Sequence, residues 1–258
     1  MILHSATDLK NIPRRIVSLV PSQTELLYFL GLEEETIAIT KFCVHPAKWP
    51  GQKIIIGGTK NIHLEQVKNL HPDLIVANKE ENTKEQVEEL AKEYPVWVTN
   101  VNNLDDALQM IQDIGQLTNT ALQAGKLVEN ITALFSALPI KNMAIPTAYL
   151  VWRNPFMTIG GDTFINDMLK RCGLQNIFAG RTRYPEITIN ELRDTGCSVL
   201  LLSSEPYPFN QKHIEELQAF LPGIKILLTD GEIFSWYGSR LLKAPGYFRK
   251  FLDKINSG

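Results

Sequence analysis

Three features that would assign the chain to a particular class are missing from its 258 residues. No apolar run reaches the roughly 18 residues that a transmembrane helix requires. The formal net charge of −2 offers no basic field to nucleic acid or to an anionic membrane. The three cysteines, Cys43, Cys172 and Cys197, lack CxxC spacing and allow at most one disulfide, so their number decides no redox compartment. We expect neither a membrane-spanning nor a nucleic-acid-binding protein.

The N-terminal sequence MILHSATDLKNIPRR has neither a charged n-region nor an apolar core of the length found in export signals. Taken by itself, this segment predicts a cytoplasmic chain or a mature form from which a signal was removed.

What is present is the composition of an ordinary globular protein, with 44% hydrophobic and 21% charged residues. Apolar runs rich in β-formers alternate with amphipathic helical segments along most of the chain. The predicted strands occupy residues 15–20, 36–40, 53–58, 74–78, 95–100, 147–152, 198–204 and 224–230. Such alternation predicts an α/β protein with parallel sheets.

The stretch from Asn103 to Leu138 has a helical pattern, because leucine and isoleucine recur there every three to five residues. We predict two helices, of which the second is long and begins near Thr118–Thr120. The predicted organisation is an α/β lobe over residues 1–116, a bridging helix over 117–139 and a second α/β lobe over 140–258. A ligand cleft is expected between the lobes.

Side-chain caps are predicted at two further helix starts. Ser22 and Glu25 have the spacing of a capping box directly after the first strand. Asp162, which follows Gly160 and Gly161, is predicted to cap the next helix.

A weak internal repeat links the two predicted lobes. HLEQVKNLHPDLIVAN (63–78) and TINELRDTGCSVLLLSS (188–204) each read as a short helix followed by a buried strand, with Glu65 and Glu191 at the helix starts. Thr188 and Glu191 have capping-box spacing, whereas Ile62 at the corresponding first position cannot cap by its side chain. Helix capping and the helix dipole therefore explain well why a glutamate stands at position 191, but they explain the glutamate at position 65 only weakly.

Four segments in series resemble the periplasmic substrate-binding proteins of iron-chelate and cobalamin ABC importers, and the cobalamin-binding branch most. They are RIVSLVPSQTELLYFLGL, HLEQVKNLHPDLIVAN, NPFMTIGGDTFINDMLKRCGLQNIF and DGEIFSWYGSRL. The resemblance covers residues 14–250. It implies two parallel-sheet lobes joined by a rigid helix, a ligand held between them and no catalysis.

The same resemblance implies partners and a location. Glu65 and Glu191 match glutamates that dock into arginine pockets of the inner-membrane permease dimer. The ligand would be a cobalamin-like corrinoid or an iron chelate, with no intrinsic cofactor. The protein would be a monomer in the periplasm or cell envelope.

Ligand-contacting residues are predicted from the rule that ligands of open α/β sheets bind beyond the carboxyl ends of the strands. Aromatic side chains there would form apolar walls, and arginines would pair with carboxylates or phosphates. The alternative for each aromatic is ordinary packing, and for each arginine an ordinary surface position. The predicted residues are Ser22, Gln23, Phe42, His45, Trp152, Arg153, Arg183, Tyr184, Phe234, Trp236 and Tyr237.

Other functions remain open at this stage. Of the five histidines only His45 falls in a predicted cleft loop, so no free-metal site is expected, although His45 could supply one axial ligand to cobalt or haem iron. Cys43 and His45 would face the same side of an extended segment and could form a nucleophile pair. A cytoplasmic ligand-binding or sensory module of the same fold, without a transporter, is the third alternative.

Overall fold

The computed structural model describes residues 1–138 and 144–256. Contacts within the chain group it into two compact units. Unit 1 consists of Met1–Val101, Asp105–Thr132 and Tyr237–Arg240. Unit 2 consists of the described parts of Asn102–Leu104, Ala133–Trp236 and Leu241–Gly258. The predicted end of the bridging helix at residue 139 and the start of the second lobe at 140 lie outside the described residues.

Unit 1 is built on a parallel sheet with the strand order β1-β6-β5-β2-β3-β4. Its strands are β1 (Ile2–Leu3), β2 (Ile16–Ser18), β3 (Thr36–Ile39), β4 (Ile54–Ile55), β5 (Leu74–Asn78) and β6 (Val96–Thr99). The central strands β2 and β5 are buried along their whole length, as the apolar runs of a sheet covered on both faces require. The edge strand β1 is too short to be predicted from the sequence.

The first five α-helices alternate with these strands in the chain or follow them. They are α1 (Pro21–Phe29), α2 (Leu64–Asn69), α3 (Lys84–Ala91), α4 (Leu104–Leu117) and α5 (Ala121–Ser136). The two helices predicted between Asn103 and Leu138 are thus confirmed, and the second starts one residue after the predicted region. The boundary between units 1 and 2 after Thr132 falls inside α5.

The predicted capping box of α1 is wrong. The N-cap is Val20, which makes no side-chain cap bond, and Pro21 occupies the first helical position. Proline is favoured there because its ring fixes a helical φ and its missing N–H would have no helical partner. Ser22 therefore lies inside the first turn, and Glu25 is available for another contact.

Unit 2 contains a second parallel sheet, of order β10-β9-β7-β8. Its strands are β7 (Ile145–Leu150), β8 (Leu174–Asn176), β9 (Val199–Ser203) and β10 (Lys225–Thr229). Its helices are α6 (Phe164–Arg171), α7 (Ile189–Asp194), α8 (Gln211–Phe220), α9 (Gly231–Ser235) and α10 (Ala244–Asn256). Strand β8 and helix α9 escaped prediction because each is a single short segment without clear periodicity.

The cap predicted before α6 is also wrong. Thr163 is the N-cap and its hydroxyl accepts the Asn166 N–H. Asp162 instead accepts the backbone N–H of Arg183 at 2.6 Å, which ties two loops together. The preceding Gly161 is required by space, because a Cβ there would lie 2.2 Å from the Ala179 carbonyl oxygen.

The α/β class with parallel sheets is confirmed by both units. Among the described residues, no helix has the length and apolar character needed to cross a membrane.

Candidate functional site

The sheet of unit 1 has one point where the direction of its connections reverses. From β2 the chain adds β3 and β4 on one side, and then returns to add β5 and β6 on the other. The carboxyl ends of β2 and β5 therefore lie side by side at the position where such sheets bind ligands. The loops after these two strands are the first place to look for a site in unit 1.

A buried polar network occupies this position. Gln23, fully buried in α1, donates from Nε2 to Thr99 Oγ1 at 2.5 Å, and Asn78 Nδ2 donates to the same oxygen at 3.1 Å. Gln23 Oε1 is buried without a hydrogen bond. Asn82 donates to the Leu19 carbonyl and so connects the loops after β2 and β5. Ser22, also predicted as a ligand contact, is buried at the same helix start.

The loop after β3 presents an exposed aromatic side chain. Phe42 is 51% exposed, and its ring lies over Gly58, where a Cβ would come within 3.1 Å of Phe42 Cε2. Lys41 Nζ lies 5.1 Å from the centre of the ring. A large apolar side chain held open at the carboxyl end of a strand is suited to contact a ligand. His45, later in the same loop, is half-buried.

The geometry of this loop does not suit Cys43 and His45 as a nucleophile pair. The segment is a turn rather than an extended strand, since the Cys43 N–H bonds the Thr40 carbonyl and the Val44 N–H bonds the Phe42 carbonyl. The thiol is buried against the hydroxyls of Thr24 and Thr40. Burial raises the pKa of the Cys43 thiol, so that the nucleophilic thiolate is disfavoured at neutral pH.

In unit 2 the connections reverse between β7 and β9. Trp152 lies two residues after the end of β7 and is 40% exposed. Its ring packs edge-on against Tyr207 from the loop after β9, with 5.7 Å between ring centres. Trp152 and Tyr207 thus place an aromatic surface at the expected ligand position of this sheet.

The aromatics that follow β10 have less free surface. Trp236 is buried, and its indole N–H donates to Glu205 Oε1 at 2.8 Å, an oxygen that also accepts the Ser235 hydroxyl. Tyr237 is buried as well and belongs to unit 1. Phe234 has no exposed surface and packs against Tyr149 and other rings in the core of unit 2. Phe234 is therefore a core residue in this structure.

The two predicted arginines already have acidic partners in unit 2. Arg153 Nη2 lies 2.6 Å from Glu216 on α8, beside a cavity of about 210 Å³. Arg183 lies 3.7 Å from Asp162, and its own backbone has the left-handed φ of 56°. Tyr184, the next residue, is half-buried in the same loop. The positive charges at this edge of unit 2 are thus largely neutralised.

No group of three or more histidine, cysteine, aspartate or glutamate side chains arranged to hold a metal ion occurs within residues 1–138 and 144–256.

Glu65 and Glu191 occupy equivalent places in the two units. Each lies in the first turn of a short helix, α2 or α7, and each helix leads into the strand at the reversal point, β5 or β9. The Thr188–Glu191 capping box is confirmed. Helix α2 starts from His63, which makes no side-chain cap bond.

Glu191 has a partner that the sequence did not reveal. Arg181 Nη2 lies 2.5 Å from Glu191 Oε1, and this guanidinium holds the pKa of the carboxyl below its usual range. Arg181 lies in a loop ten residues before Glu191. No periodic pattern relates a loop residue to a helix start at that distance, so the pair could not be predicted.

Comparisons with known proteins agree with this architecture. A family model described as "Periplasmic binding protein" matches residues 16–219. The vitamin B12-binding protein of Vibrio parahaemolyticus is 25% identical over 209 residues, which are 78% of this chain and 75% of that protein. Two Vibrio cholerae structures share the fold. The periplasmic vitamin B12-binding protein has a TM-score of 0.77 at 18% identity and covers 96% of this chain and 99% of its own. The periplasmic haem-binding protein has a TM-score of 0.78 at 20% identity, and the match covers 92% of this chain and 98% of that protein.

Proposed function

This chain belongs to the periplasmic binding protein family, and on that premise we propose that it is the substrate-binding receptor of an ABC importer. Its ligand is a cobalamin-like corrinoid, bound by the loops at the carboxyl ends of the strands and delivered to a membrane permease. The observation that carries the proposal is the pair of exposed aromatics Phe42 and Trp152. Phe42 follows β3, the strand next to the reversal point of its sheet, and Trp152 follows β7, a strand at the reversal point of its sheet. Aromatic side chains of this kind pack well against the face of a large ring system.

Charge favours the corrinoid over an anionic iron chelate. A receptor for a strongly anionic ligand needs cations that are free to pair with it. Arg153 and Arg183 are instead matched with Glu216 and Asp162. A ligand with many negative charges would have to displace these carboxylates, whereas a ligand of low net charge would not. Haem and ferric siderophores are the alternatives within the same class.

The protein acts by binding, without a chemical step. The best thiol candidate for a nucleophile is Cys43, which is buried between two hydroxyl groups. This burial raises the pKa of the thiol and disfavours its thiolate form. The relative from Vibrio parahaemolyticus is named as a vitamin B12-binding protein.

Delivery requires a partner at the membrane. Glu65 and Glu191, placed alike in the two units, are proposed to meet basic groups of the two subunits of the permease, where opposite charge speeds the encounter. The receptor itself is proposed to be a monomer in the periplasm or cell envelope.

The first experiment is a titration of the purified protein with cyanocobalamin, followed by tryptophan fluorescence and by calorimetry. We expect saturable binding of one ligand per chain. Hemin and ferric hydroxamate serve as parallel ligands. Binding of one of these without cyanocobalamin would keep the receptor and replace its ligand, and no binding of any of the three would refute the proposal.

A further inference from the structure

The two glutamates at the proposed docking positions differ in how far their carboxylates are already occupied by partners within the chain. The Glu65 side chain is 84% exposed. Its ion-pair partner is Lys68, one turn along the same helix, at 3.7 Å. Lys68 lies closer to Glu89 and Glu93, at 3.3 and 3.0 Å, so its charge is shared among three carboxylates. The Glu65 carboxylate is therefore open to a further cation.

The Glu191 carboxylate, by contrast, is engaged at both oxygens. Oε2 accepts the backbone N–H of Thr188 at 2.7 Å and the Thr188 hydroxyl at 3.1 Å. Oε1 accepts Nη2 of Arg181 at 2.5 Å. With 37% of its side chain exposed, Glu191 presents to an approaching partner a carboxylate already covered by a guanidinium.

Arg181 belongs to the loop that carries two of the predicted ligand contacts, Arg183 and Tyr184. Its Nη1 also donates to the Glu186 carbonyl at 3.2 Å, and its guanidinium lies 5.2 Å from the centre of the Phe178 ring. The Arg181 side chain thus ties the two ends of this loop to the start of α7.

We infer that the two proposed docking positions are unequal. Glu65 is directly available to a guanidinium-bearing partner. Glu191 is reached only when the partner displaces the side chain of Arg181, which belongs to the loop of Arg183 and Tyr184. This inference rests on the docking part of the proposed function. It also specifies the partner surface that fits unit 2. That surface supplies a guanidinium to Glu191 and a hydrogen-bond acceptor for the released Arg181 side chain. Docking at unit 2 would then loosen the loop that carries the predicted ligand contacts Arg183 and Tyr184.

The energetics permit such an exchange. An exposed ion pair shifts an equilibrium by only about two- to five-fold. One guanidinium replaces another at Glu191, so the type of hydrogen bond is preserved. The backbone bonds of the loop, such as Gly160 N–H to the Arg183 carbonyl at 2.7 Å, do not depend on Arg181, so its release would loosen the loop without unfolding it.

The test uses a hexa-arginine peptide as the probe for a guanidinium-bearing partner. Carbon-13 NMR of the glutamate side-chain carboxyls follows Glu65 and Glu191 separately in one titration. We expect Glu65 to respond at peptide concentrations about two- to five-fold lower than Glu191. In the Arg181→Gln variant the Glu191 curve should move to lower concentration by the same factor, with the Glu65 curve unchanged. Arg193→Gln, which removes an exposed arginine of α7 that bonds the Phe220 carbonyl, is the matched control.

A second measurement needs no partner. Hydrogen exchange at the amides of residues 182–184 should be about two- to five-fold faster in Arg181→Gln than in wild type or in Arg193→Gln.

The outcomes separate the inference from the function on which it rests. Equal titration curves at the two glutamates in the wild type, or equal behaviour of Arg181→Gln and Arg193→Gln, would overturn the inference while leaving docking at both positions intact. No response at either carboxylate would overturn docking and the inference together. Cyanocobalamin binding, measured on the same samples, reports on the receptor function independently.

Discussion

Arg240 and Glu25 form a two-point ion pair within unit 1, although they are 215 residues apart in the sequence. Arg240 Nε lies 2.8 Å from Glu25 Oε2, and Nη2 lies 2.9 Å from Oε1. Both side chains are largely buried. The pair fastens the segment Tyr237–Arg240, which is flanked in the chain by residues of unit 2, onto helix α1. Close packing supports it: Gly238 has a positive φ of 106°, and a Cβ there would lie 3.3 Å from the Leu26 Cβ.

Removing one partner of this pair should destabilise unit 1. Arg240→Met leaves the Glu25 carboxylate buried and unpaired, so we expect the free energy of unfolding to fall by about 3 kcal/mol. Urea denaturation followed by circular dichroism measures the loss. Arg249→Met, at an exposed position of α10, is the control and should change it by less than about 0.5 kcal/mol. Equal stability of the two variants would show that the pair contributes nothing.

Trp152 should contribute to ligand affinity through its exposed ring at the end of β7. Trp152→Ala removes an apolar wall of the proposed site, and we expect the dissociation constant for cyanocobalamin to rise about ten-fold or more, as for an interface aromatic worth roughly 2 kcal/mol. Calorimetry measures the constant. Phe29→Ala is matched as an aromatic that is 47% exposed but lies at the last residue of α1, the end of that helix far from the carboxyl end of β2. The same loss in both variants would assign Trp152 to general packing.

Much of this fold is readable from the sequence because its strands are fully buried apolar runs. Segments such as Leu74–Asn78 and Val199–Ser203 stand out against the helices around them, and their alternation fixes the parallel class. Strands of two or three residues, such as Ile2–Leu3 and Leu174–Asn176, carry no such signal and take their conformation from neighbouring strands.

The candidate site is less predictable, since strand ends locate a loop but not the direction of its side chains. Phe42 and Phe234 both follow strands and both are aromatic, yet one is exposed and the other forms the core. The partners of the arginines also depend on folding: Glu216 lies 63 residues from Arg153, and Asp162 lies 21 from Arg183. Capping at α1 failed for a local reason, the proline at its first position.

Cys172 should make stability depend on alkaline pH. Burial raises the pKa of its thiol to about 12, against 9.0 for the ordinary group. Between these values the unfolded state loses a proton that the folded state retains, so stability is complete below about pH 9 and declines as the pH rises toward 12. The slope from this one group approaches about 1.4 kcal/mol per pH unit. We expect urea denaturation between pH 8 and 11 to give a smaller slope for Cys172→Ala than for wild type, and parallel slopes would contradict the raised pKa.

Loss of both glutamates proposed for docking should separate transport from binding. In Glu65→Ala combined with Glu191→Ala, the residues at the strand ends are untouched, so the affinity for cyanocobalamin should remain within about two-fold of wild type. Uptake into vesicles containing the reconstituted permease should fall strongly, because the opposite charges that steer and orient the encounter are gone. Glu85→Ala, which removes an exposed glutamate from the first turn of α3, controls for the loss of a negative charge at a helix start. If the single change at Glu65 impairs uptake more than the single change at Glu191, the open carboxylate of unit 1 supplies more of the docking energy. Uptake by the double variant at the rate of Glu85→Ala would leave both glutamates with a purely helix-stabilising role.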